Sequence, residues 1–112
     1  MNPSETAEKY RFNLQQTLQR LLSDEALAQM GKKFDFVDPL FETIAELLDD
    51  QIRPDLWNDL KNKYQIITFP PNIETALKDF ANYLSQVKDP SQSLAEIRQR
   101  AGQCLNLLKA LN

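Results

Sequence analysis

The chain has 112 residues, 42% of them hydrophobic and 26% charged, with a formal net charge of -3. That length supports one continuous core and not two, so a single domain over residues 1–112 is expected, and the apolar content excludes a disordered tail. A pI near 4.9 and singly scattered basic groups argue against a face that binds nucleic acid.

Asn2-Pro3-Ser4-Glu5 reads as a helix start, with Asn2 at the N-cap, Pro3 at the first helical position and Glu5 placed as in a capping box. Ala7, Tyr10, Leu14, Leu18, Leu21 and Leu22 then recur every three or four residues, which predicts an amphipathic helix over residues 3–22. Ser23 is a good N-cap, yet the stripe continues through Ala26 and Met30 without a phase slip, so an extension to residue 30 stays open. Gly31 is a natural C-terminal stop in either case.

Phe34-Asp35-Phe36 alternates like a strand but is too short for a sheet, and is read as an extended connector. Asp38-Pro39 repeats the cap-then-proline start, and Leu40, Phe41, Ile44, Leu47, Leu48 and Ile52 predict a buried stripe on a helix over 39–52. Arg53-Pro54 forces a boundary, since the residue before proline avoids the α region. A short helix over 54–64 follows, with Leu56, Trp57, Leu60 and Tyr64 on one side.

The segment Gln65–Pro71 ends in two prolines and is rich in β-branched residues, so it is expected to cross the bundle in extended form, with Ile66, Ile67 and Phe69 packed on it. Asn72 is the expected cap of a helix over 73–87 whose stripe is Ile73, Ala76, Leu77, Phe80, Leu84 and Val87. Asp89-Pro90 opens a last helix over 90–110, with Ser93 and Glu96 offering a second capping register. Its residues Leu94, Ile97, Ala101, Cys104, Leu108 and Leu111 form a heptad-like seam. The fold expected is an all-α bundle of four main helices and one short helix. The seam is also the expected surface for a homodimer, if one forms, with Ala101-Gly102 allowing a close helix approach.

No segment approaches the ~20 consecutive apolar residues of a membrane helix, and MNPSETAEKYR has neither a basic nor an apolar leader region, so a cytoplasmic location is expected. The lone Cys104 cannot form an internal disulfide. On the seam it reads as a small buried hydrophobe, not a reactive thiol.

Chemical signatures are missing. There is no histidine, which removes the commonest general base and metal ligand; one cysteine makes no thiolate zinc site; and Gly31 and Gly102 stand apart from any phosphate-binding loop. The expectation is a protein that is not an enzyme and that uses no cofactor or metal.

What remains is an asymmetry of charge. Residues 34–60 carry eight acidic groups and one basic, while 1–33 carry four and five and 61–112 carry four and seven. Glu42, Glu46, Asp49 and Asp50 fall at i, i+4, i+7 and i+8, opposite the leucine stripe, and Asp55 and Asp59 continue the pattern on the short helix. Like charges at that spacing cost the isolated helix about 0.2–0.5 kcal/mol per pair, so burial of the other face must offset them.

Such a face reads first as a solvated, solubilising surface, and in the sharper alternative as a docking surface for a basic protein partner. Trp57, flanked by Asp55, Asn58 and Asp59, joins this partner-binding set, although both it and Phe41 lie on apolar stripes where core packing is the first expectation.

The function expected is a small interaction domain, an adaptor, assembly factor or regulator, docking a partner through residues 38–59. The alternative is an acidic inhibitor of a basic enzyme such as a nuclease toxin. In size, sign of charge and helix content the chain is similar to the small helical immunity proteins, with which it shares no motif. A third reading, a bundle with an apolar ligand pocket, has no polar anchor in the sequence.

Overall fold

The computed structural model describes residues 3–33, 38–53, 55, 57–59, 62 and 69–111. Its elements are α1 (Pro3–Leu22), α2 (Asp24–Lys33), α3 (Pro39–Glu46) running into a π-helical turn (Leu47–Gln51), α4 (Pro71–Gln86) and α5 (Leu94–Lys109). Asp55, residues 57–59 and Asn62 are also helical, and no strand occurs among the described residues. The protein is all-α, and no described helix is long and apolar enough to cross a membrane. The Asn2 cap, the Phe34–Phe36 connector, Leu56, Leu60, Tyr64 and residues 65–68 lie outside the described residues.

One contiguous core joins Leu14, Leu18 and Leu21 of α1, Ile44 and Leu47, Ile73, Leu77, Phe80 and Leu84 of α4, and Ile97, Ala101, Cys104, Leu105 and Leu108 of α5. The apolar periodicities account for this directly, because residues three and four apart share a helix face. α5 packs against both α1 and α4, while α1 also receives α2 and α3. Two threonines are buried on the same stripes. Thr17 Oγ1 donates to the Asn13 carbonyl at 3.0 Å and Thr43 Oγ1 to the Pro39 carbonyl at 2.7 Å, so neither hydroxyl is left unsatisfied. Leu22, expected on the α1 stripe, is instead exposed.

The helix break falls at Ser23. Its N–H donates to the Arg20 carbonyl, its carbonyl accepts from Leu27, and its Oγ accepts the Ala26 N–H at 3.1 Å, which makes it the N-cap of α2. From α5, Arg98 Nε donates to the Leu21 carbonyl at 2.9 Å and its Nη2 pairs with Asp24. One guanidinium thus satisfies the end of α1 and holds the start of α2. α2 is therefore a separate element, not an extension of α1. Gly31 does not stop it, since α2 runs to Lys33. A Cβ at Gly31 would stand 3.1 Å from Pro39 Cγ, so this glycine allows α2 to approach α3.

Asp38 caps α3 as expected, its Oδ1 accepting the N–H groups of Leu40 at 3.0 Å and Phe41 at 3.2 Å, with Pro39 at the first position. The helix then widens: the Ile52 N–H donates to the Leu47 carbonyl, five residues back, at 2.7 Å. This π turn brings Gln51 inward, 8% exposed, where its Oε1 accepts no hydrogen bond from the described residues.

Two other starts differ from expectation. α4 begins at Pro71 with the Pro70 carbonyl accepting from Ile73 and Glu74, so Asn72 lies inside the first turn and is not its cap. Asp89 supports a turn, its Oδ1 accepting from Ser91 and its carbonyl from Ser93, and α5 begins only at Leu94. Ser93 stands at its N-cap position without a side-chain cap bond, while Glu96 pairs with Arg100 at 3.2 Å.

The heptad seam is filled inside the chain. Ile97, Ala101, Cys104 and Leu108 are buried against α1 and α4, Leu94 is half-buried, and only Leu111 reaches the surface. A homodimer through this seam would require the fold to open, so that surface is withdrawn. Gly102 lies on α5 with nothing among the described residues within 4 Å of an added Cβ. Gly102→Ala is therefore expected to raise stability by about 0.5–1 kcal/mol, through helix propensity alone. Urea denaturation followed by circular dichroism checks this; a loss of stability would show that a neighbour uses the space.

Candidate functional site

The acidic residues are carried on the outer side of α3 and its π turn. Thr43, Ile44 and Leu47 define the buried direction. At 100° per residue Phe41 points about 110° away from it and Glu42 nearly opposite. Phe41 is accordingly 60% exposed, which corrects its expected place in the core. Glu42, Asp49 and Asp50 are exposed, and with Met30, Ala45 and Glu46 they line one concavity of 300 Å³ between α2 and α3. Met30 and Glu46 are shared with an adjoining concavity of 420 Å³ that is bordered by Arg20, Ala26, Gln29 and Lys33. The groove is acidic at one end and basic at the other, with a methionine between.

Glu46 differs from its neighbours. Its Oε2 accepts from Arg20 Nη1 of α1 at 2.9 Å and its Oε1 from Gln51 Nε2 at 3.5 Å. Arg20 also reaches the Met30 sulfur at 3.8 Å. This half-buried carboxylate therefore ties α1, α2 and α3 together beneath the surface acids.

Asp55 is joined to the patch through a cation. Arg53 holds it with two bonds, 2.6 Å from Nη2 and 3.3 Å from Nε, while Nη1 donates to the Asp49 carbonyl at 3.1 Å. The hydrogen bond to Asp55, with the nearby charges of Asp55, Asp49 and Asp50, pushes the guanidinium pKa further up. The corner after the π turn is thus locally neutralised, and Asp59 is exposed beyond it.

Trp57 is not at the surface. It is 2% exposed, its indole N–H donates to the Tyr10 hydroxyl at 2.8 Å, and it meets Phe69 edge-on at 6.0 Å between centroids. Tyr10 and Phe69 are 5.8 Å apart. The three rings anchor the chain after α3 onto α1. Phe69 packs in the core as expected of the crossing segment.

The arrangement brings together Glu42, Glu46, Asp49 and Asp50, links Asp55 through Arg53, and takes Trp57 away. Phe41 is the residue that the stripe pattern misplaced. Among the described residues no three carboxylate or thiolate groups converge closely enough to hold a metal ion. Comparison with protein-family models, with curated proteins and with solved structures found no match.

Proposed function

We propose that this chain is a small non-enzymatic interaction domain, an adaptor, assembly factor or regulator, that docks a basic partner through the outer face of α3 and its π turn. The observation that carries the reading is Phe41, a 60% exposed aromatic ring on the same short helix as Glu42, next to the concavity that Asp49 and Asp50 share with Met30. An aromatic anchor with a charged surround is the usual composition of an interaction hot spot, and methionine adapts to the shape that meets it. Carboxylates around it draw a cationic surface in and orient it before contact.

The test is affinity capture from the native host followed by mass spectrometry, with wild type beside Phe41→Ala and beside Glu42→Lys/Asp49→Lys/Asp50→Lys. Glu46 is left alone because its reversal would break the Arg20 pair and disturb the fold. Phe41→Ala is expected to weaken the captured complex by about 30-fold or more and the triple reversal to abolish it, with helicity unchanged. Raising salt from about 0.05 to 0.5 M should slow association. An unchanged partner set in both variants would sink the proposal. A captured basic enzyme whose activity falls in one-to-one proportion to added chain would select the inhibitor form of the same reading.

A further inference from the structure

Met30 ends the apolar stripe that runs from α1 into α2, yet it does not join the core. Among the described residues α2 buries none fully. Met30 is half-buried and lines both concavities between α2 and α3, so a small solute can reach it from either side.

Its sulfur lies among polar groups of two other helices. Arg20 Nη1 of α1 stands 3.8 Å from Sδ, and Thr43 Oγ1 of α3 stands 3.7 Å from it. The threonine has a single hydroxyl proton and gives it to the Pro39 carbonyl at 2.7 Å, so it is not the donor to sulfur. Nη1 carries two protons. One goes to Glu46 Oε2 at 2.9 Å, and the other faces the sulfur. A thioether is a weak acceptor, so this second N–H is poorly used.

One added oxygen changes that. The S–O bond of a sulfoxide is polarised toward oxygen, which makes it a strong acceptor. The gap of 3.8 Å between Sδ and Nη1 holds such an oxygen, in a bent arrangement, at the ordinary N–H···O distance of about 2.9 Å. The donor is a cation, and charge-assisted bonds are roughly twice as strong as neutral ones.

We propose that Met30 is an oxidation site for hydroperoxides and that Arg20 holds the sulfoxide formed. A sulfur lone pair attacks the terminal peroxide oxygen and the O–O bond breaks. The proton of that oxygen passes to the leaving oxygen, which departs as water or an alcohol. Sulfur is oxidised by two electrons and the peroxide is reduced by two. In a core this change disrupts packing. Here it fastens α2 to the guanidinium that already ties α1 to Glu46 of α3, so peroxide tightens the junction of three helices.

Hydrogen peroxide acting on the full chain tests this, with Met30 followed by peptide mass spectrometry and stability by urea denaturation. Native Met30 is expected to oxidise within about tenfold of its rate in the urea-unfolded chain, since no opening of the fold is needed. The urea midpoint should hold or rise on oxidation. Met30→Leu is the control, because it carries whatever peroxide does to Met1 and Cys104. In Arg20→Leu, which has no donor, oxidation should lower the midpoint. Glu46→Gln keeps the guanidinium and should respond as wild type does, which preserves the test if Arg20→Leu does not fold. A slower native rate overturns the proposal, as does a midpoint that falls in wild type or in Glu46→Gln. The same holds for a shift that is equal in wild type and Arg20→Leu.

Discussion

Trp57→Ala is expected to lower the unfolding free energy by about 3–5 kcal/mol, the usual cost of truncating a fully buried large aromatic. Marginal stability of about 5–15 kcal/mol makes that a large fraction of the whole. The ring contributes buried area, an edge-on contact to Phe69 and a hydrogen bond to Tyr10. The bond can be separated from the area by a double-mutant cycle. Tyr10→Phe leaves a buried indole N–H without its acceptor, at about 1–3 kcal/mol. Trp57→Phe leaves a hydroxyl on a half-buried tyrosine that water can reach, and should cost less through that bond. Combining the two should cost less than the sum of the singles, because the unpaired donor is then gone. Urea denaturation by circular dichroism measures all four proteins. Strict additivity would mean that the bond carries no energy and that Trp57 acts by packing alone.

This residue shows how far the sequence reaches. Its position on an apolar stripe with Leu56 and Leu60 argues for the core, and its acidic neighbours argue for the surface; both observations are local. The deciding fact is Tyr10, 47 residues away, which supplies an acceptor for the indole. The same division holds for the fold. Asp38-Pro39 starts a helix by local chemistry, and the stripes at 14, 18, 21, at 73, 77, 80, 84 and at 97, 101, 104, 108 bury themselves by period alone. Ser23 could not be decided in this way, because the apolar phase runs on through α2 whether or not the chain bends. The bend is held by Arg98 of α5 on the Leu21 carbonyl, a contact across 77 positions.

The acidic face was legible as spacing: Glu42, Asp49 and Asp50 come to one surface because α3 turns its leucines inward. Two of its features depend on geometry that spacing does not carry. Glu46 belongs to the same row, yet Arg20 from another helix makes it a tie. Phe41 belongs to the apolar row by residue type, but Thr43 is buried instead. Its hydroxyl is satisfied by the Pro39 carbonyl, which moves the centre of the stripe and leaves the larger ring outside. A small polar residue able to bond its own helix can take a core position from an aromatic two residues away.

The protein should lose stability on the alkaline side, and in two steps. With no histidine in the chain, no side chain of ordinary pKa changes charge between about pH 5 and 8. Burial pushes the Cys104 thiol up to about 11, with the Asp79 charge adding to it. Burial likewise pushes the Tyr10 hydroxyl up to about 12, against the bond from Trp57, which lowers it. Both groups are acids that the fold keeps neutral, so the unfolded chain gives up each proton first.

Above the ordinary pKa the unfolded state binds fewer protons, and stability falls as pH rises. The contribution is complete below pH 9.0 for Cys104 and below 10.0 for Tyr10, and it is lost on approach to about 11 and about 12. Each loss is on the order of 2 kcal/mol. The difference between wild type and Cys104→Ala isolates the thiol, because every other group is common to both.

Urea midpoints at pH 8, 9, 10 and 11 should show the variant less stable at pH 8, where it lacks the thiol's packing, and the gap should close as pH approaches about 11. A constant gap would mean that the thiol is ionised equally in the folded and unfolded chains, and hence that the α4–α5 contact around it admits water. Native alkylation gives the same answer by rate. A thiol held neutral, its Sγ 3.8 Å from the Ala76 carbonyl, should react only as fast as α5 opens, and urea near the midpoint should accelerate the reaction in proportion to the unfolded fraction.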